Sequence, residues 1–466
     1  MPCAAGPWAR ERAFEIPILC CGFGTLLSKL TQFNLIPLNY QRPIARVLGA
    51  RLAETPQRLQ ILVGPRQVGK TTLIQQALIE RPSASYFSLA ADDPNRSGAA
   101  EYYAQAPSLA PAKGASAPTA SWLSESWELA ERRALAWGES DHPAARALPF
   151  LLVFDEIQLV PQWSSDVKGL WDGARKRGVR MHVVLLGSAP LLVQQGLNES
   201  LTGRYELIRV AHWSFAEMND AFGFTLDQYV HFGGYPGSAS LIHDEERWRA
   251  YVRDSLIEPS IERDVLAMAR VDKPAMLRRL FELGCDYSGQ IVSLSKVGAT
   301  LGEGHTDTLA HQLTLLGQAG LLTGLQKYAA QAIRQRKSPP KFQVNNNALM
   351  TAAATYRFDE ARADRSHWGR LVESAVGAHL VTTADADTRI HYWREADMEV
   401  DFVVESRGKL AAVEVKTVPG MTRHRGLDEF CRRHPDARRR LVGSDELPLG
   451  EFLRQDAAYW TSQQVG

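Results

Sequence analysis

Gly64-Pro65-Arg66-Gln67-Val68-Gly69-Lys70-Thr71 fits the pattern G-x-x-x-x-G-K-[ST], with Thr72 directly after it. Each part has a physical purpose. Glycines let a loop turn its backbone N–H groups inward, and the helix that starts at the motif offers the positive end of its dipole. The Lys70 ammonium reaches terminal phosphates and the Thr71 hydroxyl ligates magnesium. These residues are candidates for holding ATP with Mg2+. The alternative is a chance match in a glycine-rich turn. The apolar "LQILVG" before the loop and the helical periodicity of "KTTLIQQALIE" after it argue for the phosphate loop. "LLVFDEIQ" brings a second element: an apolar strand delivering Asp155, a magnesium ligand, and Glu156, a base for the water that attacks the γ-phosphate. Alone, such a pair would read as the cap of a following helix; behind a phosphate loop that becomes the lesser reading. Ser188, after "HVVLLG", is placed to sense the γ-phosphate or the water. Arg204 in "LTGRYELIRV" reads equally as an arginine finger and as a surface arginine before a strand.

A second constellation lies near the C-terminus, in "HYWREADMEVDFVVESRGKLAAVEVKT". Two apolar strands form a predicted hairpin, the first carrying Asp401 and the second Glu414-Val415-Lys416. Strand alternation puts Glu414 and Lys416 on one face, opposite Val415. Two carboxylates beside a lysine are what a magnesium-dependent phosphodiesterase needs: Asp401 and Glu414 as metal ligands, and Lys416 to orient or activate the water. Glu373, in the predicted helix "GRLVESAVGAHL", is a further candidate ligand. The plainer reading is an exposed cross-strand charge pair worth only a few tenths of a kcal/mol.

The elements that must position these residues are legible in outline. Buried strands at "LQILVG", "ASYFSLA", "FLLVF" and "HVVLLG" alternate with helical segments, which predicts an α/β fold built on a parallel sheet. Residues of about 95–145, rich at first in Ala, Ser and Pro, are expected as a surface insertion. From Leu226 to Leu325 the pattern turns helical. "QIVSLSKVGATLGEGHTDTLAHQLTLLGQAGLLTGLQKY" resembles a winged helix, with a second helix capped by Thr306 and a wing at Leu321 to Tyr328. That second helix has no Lys or Arg, so a packing or protein-contact role is favoured over DNA reading. Arg334, Arg336, Lys337 and Lys341, and later Arg432, Arg433 and Arg438 to Arg440, are basic runs that suit either a nucleic-acid backbone or solvent.

Composition sets the frame. The chain of 466 residues is long enough for several domains, and 45% hydrophobic with 23% charged residues is a globular balance. With 53 basic and 52 acidic side chains there is no global argument for nucleic acid. Five scattered cysteines without metal-ligand spacing suit a reducing compartment, so a cytoplasmic location is expected. No apolar run approaches a membrane span, and "IPILCCGFGTLL" is read as an N-terminal extension.

Taken in order, "GPRQVGKTT", "FDEIQ", "LLGSAPLL", "LTGR", "FGGYPG" and "IERDV" resemble those of a group of prokaryotic AAA-type ATPases, over roughly Tyr40 to Leu453. The resemblance implies an AAA-like P-loop NTPase sheet with helices on both faces, a helical or winged-helix portion, and a C-terminal domain similar to restriction-endonuclease folds. The D-x12-E-x-K spacing looks like the PD-(D/E)xK nuclease signature. One departure is "KFQVNNNALM", where many members look like "KFYFxDxGL": Asn345, Asn346 and Asn347 stand where an acidic residue is expected. The domains expected are an extension at 1–39, an ATPase domain at 40–225, a helical/winged-helix region at 226–335 and a nuclease-like domain at 336–466. The function expected is Mg2+-dependent ATP hydrolysis coupled to a nuclease-like domain acting on DNA or RNA. The alternative is an ATP-dependent switch that binds a protein or nucleic-acid partner through a silent domain. Assembly into a homo-oligomer is suggested by analogy alone.

Overall fold

The computed structural model describes residues 40–92, 119–187, 197, 200–266, 273–302, 305–329, 338–416 and 424–462. The expected extension at 1–39 and the Ala/Ser/Pro-rich stretch at 93–118 lie outside the described residues.

Strands β1 (Leu59–Val63), β2 (Tyr86–Ala90), β3 (Phe150–Asp155), β4 (Met181–Gly187) and β5 (Tyr205–Arg209) form one parallel sheet in the order β2-β3-β4-β1-β5. β1 and β4 are buried along their whole length, which explains their unbroken apolar sequences: both faces of the sheet are covered. One face packs Leu48 and Leu52 of helix Ile44–Ala53 and Leu73 and Ile74 of helix Lys70–Ile79. The other face receives Trp122, Trp127, Val167 and Trp171 from helices Ala120–Glu139 and Trp163–Lys176.

Helix Ala120–Glu139 corrects the expectation of a surface insertion running to about residue 145. Thr119 caps its N-terminus, accepting from the Trp122 N–H, and Trp122, Trp127 and Trp137 are buried. Its apolar spacing begins directly after an Ala/Ser/Pro-rich stretch whose composition is that of a loop.

The C-terminal half is built on a mixed six-stranded sheet, in the order β11-β10-β9-β8-β6-β7. Its strands are β6 (Leu322–Lys327), β7 (Lys341–Val344), β8 (Thr388–Glu395), β9 (Met398–Ser406), β10 (Lys409–Val415) and β11 (Arg438–Val442). β9 and β10 make the predicted hairpin, turning at Arg407 and Gly408, both with positive φ. The segment expected as a wing is β6, which pairs parallel with β8 and antiparallel with β7 and so lies inside this sheet. Helix Thr306–Gln318 buries Leu309, Leu313, Leu315 and Leu316, a packing role consistent with its lack of cations; its N-cap is His305, not Thr306. A boundary near residue 335 would divide β6 from β7. The larger hydrophobic core here runs from Trp213 through the helical region to Trp460, and a smaller one gathers Trp393, Val403, Leu427 and Phe430.

Candidate functional site

At the C-terminal edge of the parallel sheet, β1 runs into the loop at Gly64 and β3 ends in Asp155, with β4 between them. Open parallel sheets bind ligands at this edge. Gly64 is required by space: a Cβ there would sit 2.0 Å from the Val210 carbonyl oxygen. Gln67 (φ 56°) and Gly69 (φ 88°) take the left-handed backbone that folds the loop over, and the helix begins at Lys70. The Lys70 ammonium donates to the carbonyl oxygens of Gly64 (2.9 Å) and Pro65 (2.8 Å), so its charge lies within the loop. Thr72 follows in the first turn of the helix.

The Thr71 hydroxyl donates to Asp155 Oδ2 at 2.6 Å, while Asp155 Oδ1 accepts from the Glu156 N–H at 2.9 Å. Burial, reinforced by the neighbouring Glu156 charge, raises the Asp155 pKa against the opposing pull of Thr71 and Lys70. A hydroxyl and a carboxylate meeting at this edge are hard oxygen donors, and they fit Mg2+. Glu156 sits in the left-handed region (φ 50°), and its carboxylate accepts from the Gln158 side-chain amide. Ser188 lies outside the described residues, directly after β4.

Arg204 is at the other edge of the sheet. Its carbonyl accepts from the Leu59 N–H (2.8 Å) where β1 starts, and its guanidinium pairs with both carboxylate oxygens of Asp172 at 2.9 Å. The five residues of β1, roughly 16 Å of strand, separate it from the loop, which removes a finger role on this chain's own phosphates.

Sequence reasoning missed what grips the loop from outside. Val68 O accepts from Arg42 (2.9 Å) and from the Trp213 indole (3.0 Å), and buried Arg42 is paired with Glu217 at 2.7 Å. Tyr251 donates to the Gln67 side-chain oxygen. Gly320 packs so closely that a Cβ would lie 2.4 Å from Pro65 Cγ. The carbonyl of Gly320 accepts from His212 Nε2 at 2.9 Å, and His212 Nδ1 faces Asn346 Nδ2 at 3.3 Å. His212 is therefore the neutral Nε2–H tautomer, and complete burial holds its pKa down at about 4. Asn346 Oδ1 accepts from Gly234 N (3.0 Å) and Ala348 N (3.1 Å). An Asp could make the same two bonds; Asn346 makes this helix cap and adds a donor toward His212. The first two "FGGYPG" glycines are explained by the same junction: a Cβ on Gly233 would lie 2.0 Å from Asn346 Oδ1, and one on Gly234 would lie 2.1 Å from Trp213 O.

The second constellation also gathers. Asp401 and Glu414 face one another one step past the Phe402–Val413 pair of the hairpin, and Asp401 Oδ2 accepts from the Val415 N–H at 2.9 Å. Lys416 Nζ donates to Glu414 Oε1 at 2.8 Å, and His424 Nε2 lies 3.0 Å from the same oxygen. Glu414 is 3% exposed, and among the described residues its Oε2 has no hydrogen-bond partner. Burial and then the Asp401 charge push its pKa up to about 8.

Glu373, the further candidate ligand, lies on the far side of Asp401, its Oε1 accepting from Lys341 at 2.7 Å. Lys341, expected with its basic run to meet a nucleic-acid backbone or solvent, is fully buried: it also donates to Asp401 O (3.1 Å) and lies 3.7 Å from Asp401 Oδ1 and 4.0 Å from Glu399. Burial alone would lower its pKa, but Glu373, Asp401 and Glu399 together raise it. The one signal was a lysine opening the short apolar strand "KFQV". Among the described residues no three His, Cys, Asp or Glu side chains converge to hold a metal ion. What the cluster does bring together is two carboxylates, Asp401 and Glu414, with one buried Glu414 oxygen that has no hydrogen-bond partner among the described residues.

The arginines expected near nucleic acid are largely committed elsewhere. Arg432 and Arg433 pair with Glu429, Arg439 with Asp428 at 3.5 Å, and Arg440 donates to Trp460 O. Arg334, Arg336 and Lys337 lie outside the described residues. Among the described residues no helix is long and apolar enough to cross a membrane.

Comparison with known proteins bears on both halves. Residues 125–219 match a family model described as an AAA domain. Residues 223–360 and 368–451 match two models described as domains of unknown function, DUF8612 and DUF4143. An uncharacterized protein of Mycobacterium tuberculosis is 27% identical over 285 residues, 60% of this chain and 62% of that one, so the match spans less than two thirds of the mycobacterial protein. One of Haemophilus influenzae is 24% identical over 286 residues, 59% of this chain and 67% of that one. Among solved structures, the Walker-type ATPase of Pyrococcus abyssi aligns with a TM-score of 0.43 and 16% identity over 67% of this chain and 95% of its own. Drosophila ORC bound to DNA aligns with a TM-score of 0.26 and 15% identity over 69% and 94%. Part of the α/β unit, residues 125–219, is thus similar to an AAA domain, and the same parallel sheet carries the phosphate loop at its edge, outside the matched residues. The C-terminal match carries no nuclease assignment, and the fold there is a mixed sheet.

Proposed function

We propose that the chain hydrolyses ATP with Mg2+ at the phosphate loop and uses the nucleotide state to control its C-terminal half. In this reading Gly64 to Thr72 cradle the phosphates, with Lys70 turning from the loop carbonyls to the terminal phosphate. Thr71 and Asp155 hold the metal, which when bound neutralises phosphate charge. Glu156 orients and deprotonates the attacking water, and Ser188 senses the γ-phosphate. The carrying observation is the line of direct contacts from the loop into the C-terminal half: Pro65 on Gly320, Gly320 to His212, His212 to Asn346. A loop that reshapes around phosphate has to move against those neighbours. Arg204 belongs to this account only as a finger reaching a neighbouring copy's phosphates, which requires a homo-oligomer and release from Asp172. Lys70→Ala should lose nucleotide binding measured by fluorescence titration; unchanged affinity would reject the site.

For the C-terminal cluster the reading is a metal-assisted phosphodiester site acting on DNA or RNA. Asp401 and Glu414 would hold one ion and Lys416 would position the water. Its support is the juxtaposition of those three side chains with the unpartnered Glu414 oxygen. A docking-only switch, binding a protein or nucleic acid, is the second reading, favoured by the internal pairing of Arg432, Arg433 and Arg439. Cleavage assays with Mg2+ or Mn2+ distinguish them: loss of activity in Lys416→Ala supports the phosphodiesterase, and no cleavage by wild type on DNA or RNA supports the switch.

A further inference from the structure

Lys341 has no part in either reading, yet it is the most completely enclosed cation among the described ion pairs, its side chain 0% exposed. It sits on β7, and its Nζ lies over the Phe402 ring, 4.7 Å from the ring centroid. The ammonium donates to Glu373 Oε1 and Asp401 O, and its remaining direction is bounded by Asp401 Oδ1 and Glu399. The carboxylates themselves are partly open, at 25% for Glu373, 36% for Glu399 and 16% for Asp401. The acids therefore line the mouth of the cluster and the lysine forms its floor. An ion entering from solvent meets oxygens that already share a positive charge, fixed by packing on β7 and unable to swing away into water. On the other side of Asp401 the cation is more open: Lys416, its side chain 22% exposed, and His424 both engage Glu414 Oε1, and among the described residues the buried Oε2 has no partner.

We propose that Lys341 is a resident counter-cation: it satisfies the Glu373 side of the C-terminal cluster and confines any divalent ion to the Asp401–Glu414 side, so that the site takes one ion and not two. This rests on the metal-site reading above. Two like charges a few ångströms apart in a partly buried pocket repel strongly, and a buried ammonium held by a short charge-assisted bond is not displaced cheaply. A two-metal displacement would then be closed to this chain, leaving chemistry in which Lys416 and a single ion act on the phosphodiester.

The test is a Mn2+ titration of the full-length, nucleotide-free chain, followed by electron paramagnetic resonance of free Mn2+, with folding checked by circular dichroism. Glu414→Gln should weaken the C-terminal ion at least tenfold, whereas Glu373→Gln should leave Mn2+ affinity within twofold of wild type. Lys341→Met should bind one additional ion. A tenfold loss in Glu373→Gln, or wild-type stoichiometry in a folded Lys341→Met, would overturn the proposal. Should Lys341→Met fail to fold, the Glu373→Gln comparison decides alone. Binding that Glu414→Gln leaves untouched would instead reject the metal-site reading on which the proposal rests.

Discussion

Single residues set the geometry of the phosphate loop through space as much as through charge. Gly64 is the sharpest case, since any side chain there must push the Val210 carbonyl, part of the strand extension beside β1, out of place. Gly64→Ala should cost about 3 kcal/mol in urea unfolding, as overpacking against backbone does, and should weaken ATP binding with it. Gly49→Ala is the control: it lies in helix Ile44–Ala53 with nothing within 4 Å of a new Cβ and should gain about 0.5–1 kcal/mol. Equal effects at the two glycines would mean that the loop tolerates displacement. At this scale the sequence was informative wherever a residue's identity is tied to a fixed motif. Lys70, Thr71 and Asp155 were legible for that reason, and Lys341 was not, because a lysine in a basic run carries no mark of the three carboxylates that fold around it.

Between elements, the junction at Asn346 joins the end of β7, the "FGGYPG" turn and His212. Asn346→Ala strips the partners of two buried N–H groups and should destabilise the chain by about 2–3 kcal/mol; Asn346→Asp, which keeps both acceptor bonds, should cost markedly less. Equal losses in both variants, read from urea midpoints, would show that the cap bonds are not what holds the junction. Element types were mostly predictable, because buried parallel strands and amphipathic helices leave periodic signatures. Pairing was not. Nothing local in "LLTGLQKY" distinguishes a wing from an interior strand, since the choice depends on β8, more than sixty residues further on, offering its edge to β6. Helix Ala120–Glu139 was hidden for a related reason: its tryptophans gain meaning only once the sheet face they cover is in place.

Across the whole molecule, titration behaviour follows from what is buried. His182, His212, His231 and His379 are all held down at about 4, chiefly by burial, so the folded state keeps them neutral. Their contribution is complete above pH 6.5 and is lost as the pH falls toward 4. Glu373 and Glu414 act with the opposite sign: raised to about 7 and about 8, they favour the fold in their neutral forms below pH 4.5 and lose that advantage as the pH climbs through those values. Stability in urea, without divalent ions, should therefore peak near pH 6.5 and decline on both sides, and a flat profile from pH 5 to 9 would contradict this balance. The same long-range packing that buries these groups ties the phosphate loop to the C-terminal sheet, so the account stands on the loop being a working ATP site. Phosphate release from saturating ATP with Mg2+, wild type against Glu156→Gln, tests that most directly. The account predicts turnover by the wild type and a rate at least a hundredfold lower in Glu156→Gln with ATP still bound, whereas equal rates, or bound ATP that the wild type never cleaves, would contradict it.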